Sequence, residues 1–311
     1  MVGTREEAGR KGQPMQLVAP PADFVAPDRV TAPPRVTERL PALYPVAVWG
    51  HRVRRRLEWA RSDAVWARDR AATPLDHRVR THSSLLMREL SDDEMHLQRN
   101  KVVNLRLASA RVDGLVIRPG ETFSFNRVVG SCTRRRGYVS GMRLSNGEAR
   151  EGLGGGICQL ANLIHWMVLH SPLTVVERSE HSFDPFPDKA RVLPWGVGCS
   201  IVYNYVDLVV RNDTGLTFQL LCSVGERHLD GELRSDRPTP HSYRVHARGE
   251  LFIKAGPDLF RRNEIWRTVI DKRTGNVVGE EMLKRNCALV RYEPVDVPVI
   301  DCSLPPVGVP G

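Results

Sequence analysis

The sequence predicts an α+β fold: helical periodicity occupies the first half of the chain, β-prone runs occupy the second, and no strand–helix–strand alternation joins them. The expected plan is N-terminal helices, one buried helix that starts at a glycine-rich cysteine motif, and then an antiparallel sheet of hairpins. At 311 residues, with 41% hydrophobic and 26% charged residues, the chain is long enough for a full core and too apolar for a disordered one.

Residues 1–43 are rich in proline and alanine, with Pro20-Pro21, Pro33-Pro34 and Pro41, and read as a flexible or extended leader. From Val46 to Arg70, Trp49, Val53, Leu57 and Ala60 recur at helical spacing while Arg52, Arg54, Arg55, Arg56 and Arg61 fill much of the remaining surface. This basic amphipathic helix either attaches to an anionic membrane or polymer or shows a solvated face while packed on the domain. Residues 91–110 form the next helix, with acids first and bases later; Ser91 and Glu94 have the form of a capping box. Leu115 to Asn126 reads as two strand-like pieces broken at Pro119-Gly120. A loop carrying Arg134, Arg135 and Arg136, with no assignable role, leads on toward the glycine motif.

That motif is Gly154-Gly155-Gly156-Ile157-Cys158-Gln159. Ile157, Leu160, Ala161, Ile164, Met167 and Val168 then make one helical stripe, and Leu163, Trp166 and Leu169 lie off it, so the helix is apolar over most of its circumference and should be buried. A helix start carries roughly half a positive charge, which favours thiolate and lowers a cysteine pKa. Glycines there leave no side chain in the way of a substrate. Cys158 is therefore the candidate nucleophile.

After Thr174 short β-prone runs alternate with turns. Cys199 to Arg211 and Leu216 to Val224 read as one hairpin, and Glu264 to Ile270 with Val277 onward as another. Three regions follow: the leader, a domain over 44–235, and a β-rich C-terminal extension with a proline-rich tail over 236–311.

A catalytic cysteine needs a base. His165 lies seven residues along the helix, about 10 Å away, too far for direct proton transfer, and His170 is farther. His181, on the next extended segment, is either that base or a surface histidine. Arg178 is a candidate for holding a substrate carboxylate. Asp207 shares an expected strand face with Ile201, Tyr203, Tyr205 and Val209 and so requires a partner, either His181 or an arginine such as Arg191 or Arg211.

The net charge of +9 favours an anionic partner such as nucleic acid, a lipid surface or cell-wall polymer; with no nucleic-acid module and 6% aromatics, nucleic acid is not expected. The first sixteen residues lack an apolar run behind their charges, and no apolar segment reaches eighteen residues. The expected location is the cytoplasm, with membrane-surface association open. The six cysteines show no CxxC pair and no metal-ligand spacing with histidine, so no metal or other cofactor is expected and Cys199, Cys222 and Cys287 read as reduced and structural.

The chain resembles the VanW family. The likeness is carried by Pro119-Gly120-Glu121-Thr122-Phe123-Ser124-Phe125-Asn126, by GGGICQLANLIHWM around Cys158, by Pro172 to Arg178 with His181-Ser182, by Phe186-Pro187-Asp188 and by the Asp207 strand. It runs from about residue 45 to 294. The resemblance implies a link to vancomycin resistance and peptidoglycan metabolism, with a peptidoglycan precursor or peptide as substrate. Related domains in exported wall proteins imply a cysteine-dependent, L,D-transpeptidase-like acyl transfer whose nucleophile corresponds to Cys158; His181 and Asp207 remain its candidate partners, and Gly154, Gly155, Gly156, Gln159 and Arg178 the candidate substrate-binding residues. The alternative is a non-catalytic accessory that binds wall precursors or partner enzymes. This chain departs from those relatives in showing no export signal and no wall-binding repeats.

Overall fold

The computed structural model describes residues 41–87, 95–145, 148–179, 183–184, 193–294 and 297–302. The predicted α+β class holds: among the described residues four α-helices and four sheets follow one another, helices early and mostly antiparallel strands late. The helices are α1 (Tyr44–Arg61), α2 (Met95–Val112), α3 (Phe125–Val129) and α4 (Cys158–Leu169). The Ser91–Glu94 capping box lies outside the described residues.

Strands β1 (Val65–Trp66), β4 (Glu121–Ser124), β7 (Thr174–Arg178) and β9 (Leu208–Arg211) form one sheet in the order β1-β4-β9-β7. A second sheet has the order β2-β11-β10-β3, from β2 (His77–Leu85), β3 (Leu115–Ile117), β10 (Phe218–Val224) and β11 (His228–Ser235). β5 (Ser140–Ser145) and β6 (Glu148–Leu153) make a ribbon that leads directly into the glycine motif. The C-terminal sheet runs β15-β12-β13-β14-β8, from β8 (Phe183–Asp184), β12 (His241–Ala255), β13 (Asp258–Asp271), β14 (Val277–Val290) and β15 (Val299–Asp301).

The helix expected to be buried is buried. α4 contacts β2 and β11 of one sheet, β7 and β9 of another, and α2, and every residue from Leu160 to Leu169 except Asn162 is enclosed. Leu160, Ile164, Met167 and Val168 join Leu105, Ile117, Phe123, Val210, Leu220 and Leu233 in one core. The end of α4 opens a second cluster, where Trp166 and Leu169 meet Val245 and Ile265 of the C-terminal sheet. That sheet is locked internally by the buried Arg261–Asp184 pair at 3.0 Å, with Tyr292 donating to the same carboxylate. α4 lies so close to β11 that a Cβ on Gly231 would sit 2.5 Å from Leu163 Cδ2 and 2.8 Å from Met167 Cε. Both side chains are confined by core, so Gly231→Ala is expected to cost about 1–3 kcal/mol in chemical denaturation.

Three expectations need correction. The basic helix ends at Arg61, and the chain continues into β1. Cys199 to Arg211 is not one strand, and it forms no hairpin with Leu216 to Val224. Only Leu208–Arg211 is strand, paired with β4 and β7, whereas β10 pairs with β3 and β11. The physical reason is Asn212, which is fully buried: its amide donates to Ile117 O at 3.0 Å and Leu216 O at 2.7 Å while its Oδ1 accepts from Thr214. This sends the chain from one sheet to the other instead of folding it back. By contrast, β13 and β14 form the second hairpin as expected, and the Pro119-Gly120 turn does separate two strands, although β3 and β4 belong to different sheets.

α1 sits outside the core, with none of its residues buried. It is held by polar contacts: Arg55 makes a bidentate pair with Glu177 of β7 at 2.6 and 2.8 Å, Arg52 donates to Tyr203 O, and His51 stacks on Tyr205 at 5.1 Å. This is the docked form of the two readings of the basic helix.

Candidate functional site around Cys158

Cys158 is the first residue of α4, and the N–H groups after it turn back to the loop, Gln159 donating to Gly156 O and Leu160 to Ile157 O, each at 3.0 Å. The glycine loop that delivers it is tightly packed. Gly154 and Gly156 have φ of 73° and 94°, a region that disfavours any other residue. Gly155 lies directly against the backbone of Gly141 on β5, where a Cβ would come within 2.2 Å of the Gly141 carbonyl. The aliphatic stem of Lys101 on α2 covers Gly156, and Cys132 covers Gly154. The glycines were expected to leave room for a substrate; they make room for β5, Lys101 and Cys132.

The loop is pinned by a residue that sequence reasoning missed. Asn104, on the apolar face of α2 and fully buried, donates to Val139 O at 3.0 Å and Gly155 O at 2.9 Å and accepts from Val139 N–H at 3.0 Å. The signal was present: an amide among Leu105, Ala108 and Val112 must find partners in the core.

One face of α4 is covered by an extended segment. Val197 O meets His165 Nδ1 at 2.8 Å, the Cys199 N–H donates to Asn162 at 2.6 Å, and the Ile201 N–H favours the charged form of the Cys158 sulfur. The two repeats match: two residues of extended chain advance about 6.6 Å, and three to four helical residues about 5 Å. Because a carbonyl accepts, His165 Nδ1 carries the proton. Burial holds this imidazole down to about 3, and that of His170 down to about 4, so both stay neutral. Neither reaches Cys158, as the helix geometry required.

The environment of the thiol reverses the expected shift. Burial pushes the Cys158 pKa up, over the opposing influence of the Ile201 N–H, the Arg143 guanidinium on β5 and the cysteine's own N–H. The half charge of a helix end is thus outweighed by desolvation. Part of the residue still meets solvent, while the thiol group itself is closely surrounded by protein. Cys132 and Cys199 flank it, with burial raising them to about 11 and about 12.

The other expected site residues are brought near the motif in part only. Gln159 donates to Ser84 Oγ and Leu85 O, both at 2.8 Å. Arg178 donates to the carbonyls of Gly196 and Gly198, which shapes the segment lying over α4. Asp207 is fully buried and accepts from Ser124 Oγ at 2.5 Å, Asn126 N–H at 2.9 Å and Leu208 N–H at 2.8 Å. Its partner is therefore not Arg211, which pairs with Asp213. His181 and Arg191 lie outside the described residues. Among the described residues no cluster of three or more His, Cys, Asp or Glu side chains could hold a metal, and no helix is long and apolar enough to cross a membrane.

Burial raises the Asp207 pKa to about 6, despite the three hydrogen bonds that favour its charged form. The folded protein then binds this proton more tightly than the unfolded chain. Stability is therefore highest below the unfolded value near 4, and falls as pH rises toward 6, by roughly 3 kcal/mol in all. Asp207→Asn keeps both N–H acceptor contacts on one oxygen. Thermal unfolding of that variant is expected to lose the pH 4–6 decline, and a decline that persisted would assign it to other groups.

Residues 100–234 match the family described as VanW like protein. Vancomycin B-type resistance protein VanW of Enterococcus faecalis (strain ATCC 700802 / V583) is 32% identical over 207 residues, 66% of this chain and 75% of the relative. The chain belongs to the VanW family. Over a shorter stretch of 96 residues it is 40% identical to the uncharacterized protein YoaR of Bacillus subtilis (strain 168), covering 30% of this chain and 32% of that one. No solved structure matches. The VanW match runs from within α2 to the end of β11, so it includes Cys158, Asn104 and Asp207 and omits α1 and β12 to β15.

Proposed function

We propose that this VanW-family chain is a cysteine acyltransferase of peptidoglycan metabolism, L,D-transpeptidase-like, with Cys158 as nucleophile. The observation that carries the reading is the placement of Cys158. It opens a buried helix and keeps contact with solvent, and the Ile201 N–H and its own N–H favour the thiolate against the burial that disfavours it. In the reaction the Cys158 sulfur attacks a stem-peptide carbonyl, a thioester forms, and the amide C–N bond breaks as the thiol proton passes through a base to the leaving amine. A second amine then attacks the thioester, making a new amide and returning the proton to sulfur. The Cys158 N–H is the helix-start donor suited to the transient oxyanion, since those of Gln159 and Leu160 already donate to Gly156 O and Ile157 O. Because burial keeps the resting thiol neutral, the proton leaves during attack and not before it. His181 is the base we assign.

The experiment is a cross-linking assay on wall stem peptides with native protein and Cys158→Ser. Loss of product in a folded variant supports acyl transfer; equal product excludes it. The second reading, a non-catalytic accessory that binds wall precursor or partner enzymes, is favoured by a specific observation: Gln159, Arg178 and Asp207 are all engaged inside the fold. Under it, Cys158→Ser preserves binding and any resistance phenotype.

A further inference from the structure

The C-terminal end of α1 borders a pocket of about 430 Å³ whose walls include Arg56, Trp59, Trp66, Arg68 and Arg127. Its volume falls within the range of small-ligand sites, roughly 300–1,000 Å³. We infer that this pocket binds a pyrophosphate ester, a small molecule whose linked phosphates meet the three guanidinium groups and whose attached ring or sugar lies against the indoles.

Charge is the first argument. Along α1, Arg54 pairs with Glu58 and Arg55 with Glu177, yet none of Arg56, Arg68 and Arg127 is paired with a carboxylate among the described residues. The nearby end of α1 carries only about half a negative charge, too little to balance three cations. Asp207 attracts Arg127 from a distance, but its oxygens are taken by Ser124, Asn126 and Leu208. The cluster therefore lacks an anion.

Rigidity is the second. The Arg127 guanidinium lies over Trp66 at 4.4 Å and Trp59 at 4.9 Å, and the two rings meet edge to face at 6.5 Å. Stacking offsets part of the cost of half-burying this charge. Burial and then the neighbouring Arg68 cation still pull its pKa down, a sign of unrelieved repulsion. The Trp59 indole N–H is also buried, with no acceptor among the described residues. An anion entering the pocket relieves the repulsion and supplies acceptors.

Stoichiometry decides the anion class. One carboxylate fills one guanidinium fork, whereas linked phosphates present acceptors and charge for several. Arg56, Trp59, Trp66 and Arg68 lie before the family-matched residues and Arg127 within them, so the site is built on α1 and β1 docking against the VanW core. It is independent of the chemistry at Cys158.

Calorimetric titration of the full chain with inorganic pyrophosphate tests this. Saturable one-to-one binding that weakens with added salt is expected. Arg56→Gln and Arg68→Gln, both at exposed positions and harmless to folding, should each weaken it about tenfold, and Arg127→Gln should abolish it. No saturable binding, or an affinity unchanged in Arg56→Gln and Arg68→Gln, would overturn the assignment.

Discussion

Cys158→Ala is expected to remove acyl transfer by a factor on the order of 10⁴ or more while leaving the protein folded. The proposed chemistry depends on a sulfur that forms and releases a thioester, and no other residue at the start of α4 supplies one. The structural cost is small. The substitution keeps Cβ and deletes one atom beside the core that Cys158 packs against, which costs about 1 kcal/mol. A circular-dichroism melt and a cross-linking assay on the same preparation separate the two effects. Unchanged turnover in the folded variant would remove the nucleophile from the account.

Gly155→Ala is the opposite case: it leaves the thiol in place and removes its support. The new Cβ would come within 2.2 Å of Gly141 backbone atoms, which no side-chain rotation relieves, and β5 would have to move. Asn104 bonds both Val139 before β5 and the Gly155 carbonyl, so displacement on either side breaks the hydrogen bonds of a fully buried amide. The expected loss is about 3 kcal/mol or more, read as a lower denaturation midpoint. A variant as stable as the native chain would show that the loop and β5 are not packed as described.

Much of this arrangement was legible in the residues. The apolar circumference of Leu160 to Leu169 announced a buried helix, and the glycines before it announced a backbone constraint. Helix rise alone removed His165 as a base. What periodicity could not convey was contact partners distant in sequence. The alternation from Cys199 to Arg211 looked like strand, yet Val197, Cys199 and Ile201 use their backbone groups on His165, Asn162 and Cys158, so that face of the segment serves a helix instead of a sheet. The thiol shift was misjudged for the same reason. A helix terminus is visible in sequence, whereas desolvation depends on elements that come together only on folding. Asp207 was correctly marked as needing a partner, but its partners are a serine hydroxyl and two backbone N–H groups, which have no sequence signature.

The pocket beside α1 illustrates the limit differently. Of its arginines, Arg56 was read as part of a solvated or membrane-facing surface because arginines crowd that helix. Only the fold brings Arg68 and Arg127 to the pocket that Arg56 lines and sets the Arg127 guanidinium over two indoles.

The most direct test of the central claim is mass spectrometry of the protein quenched in acid during turnover of a stem peptide. An acyl adduct is expected on the proteolytic peptide carrying Cys158, lost on treatment with hydroxylamine and absent from Cys158→Ala. Product formed with no adduct there, or an adduct confined to another cysteine, would contradict the assignment of Cys158 as the acyl carrier.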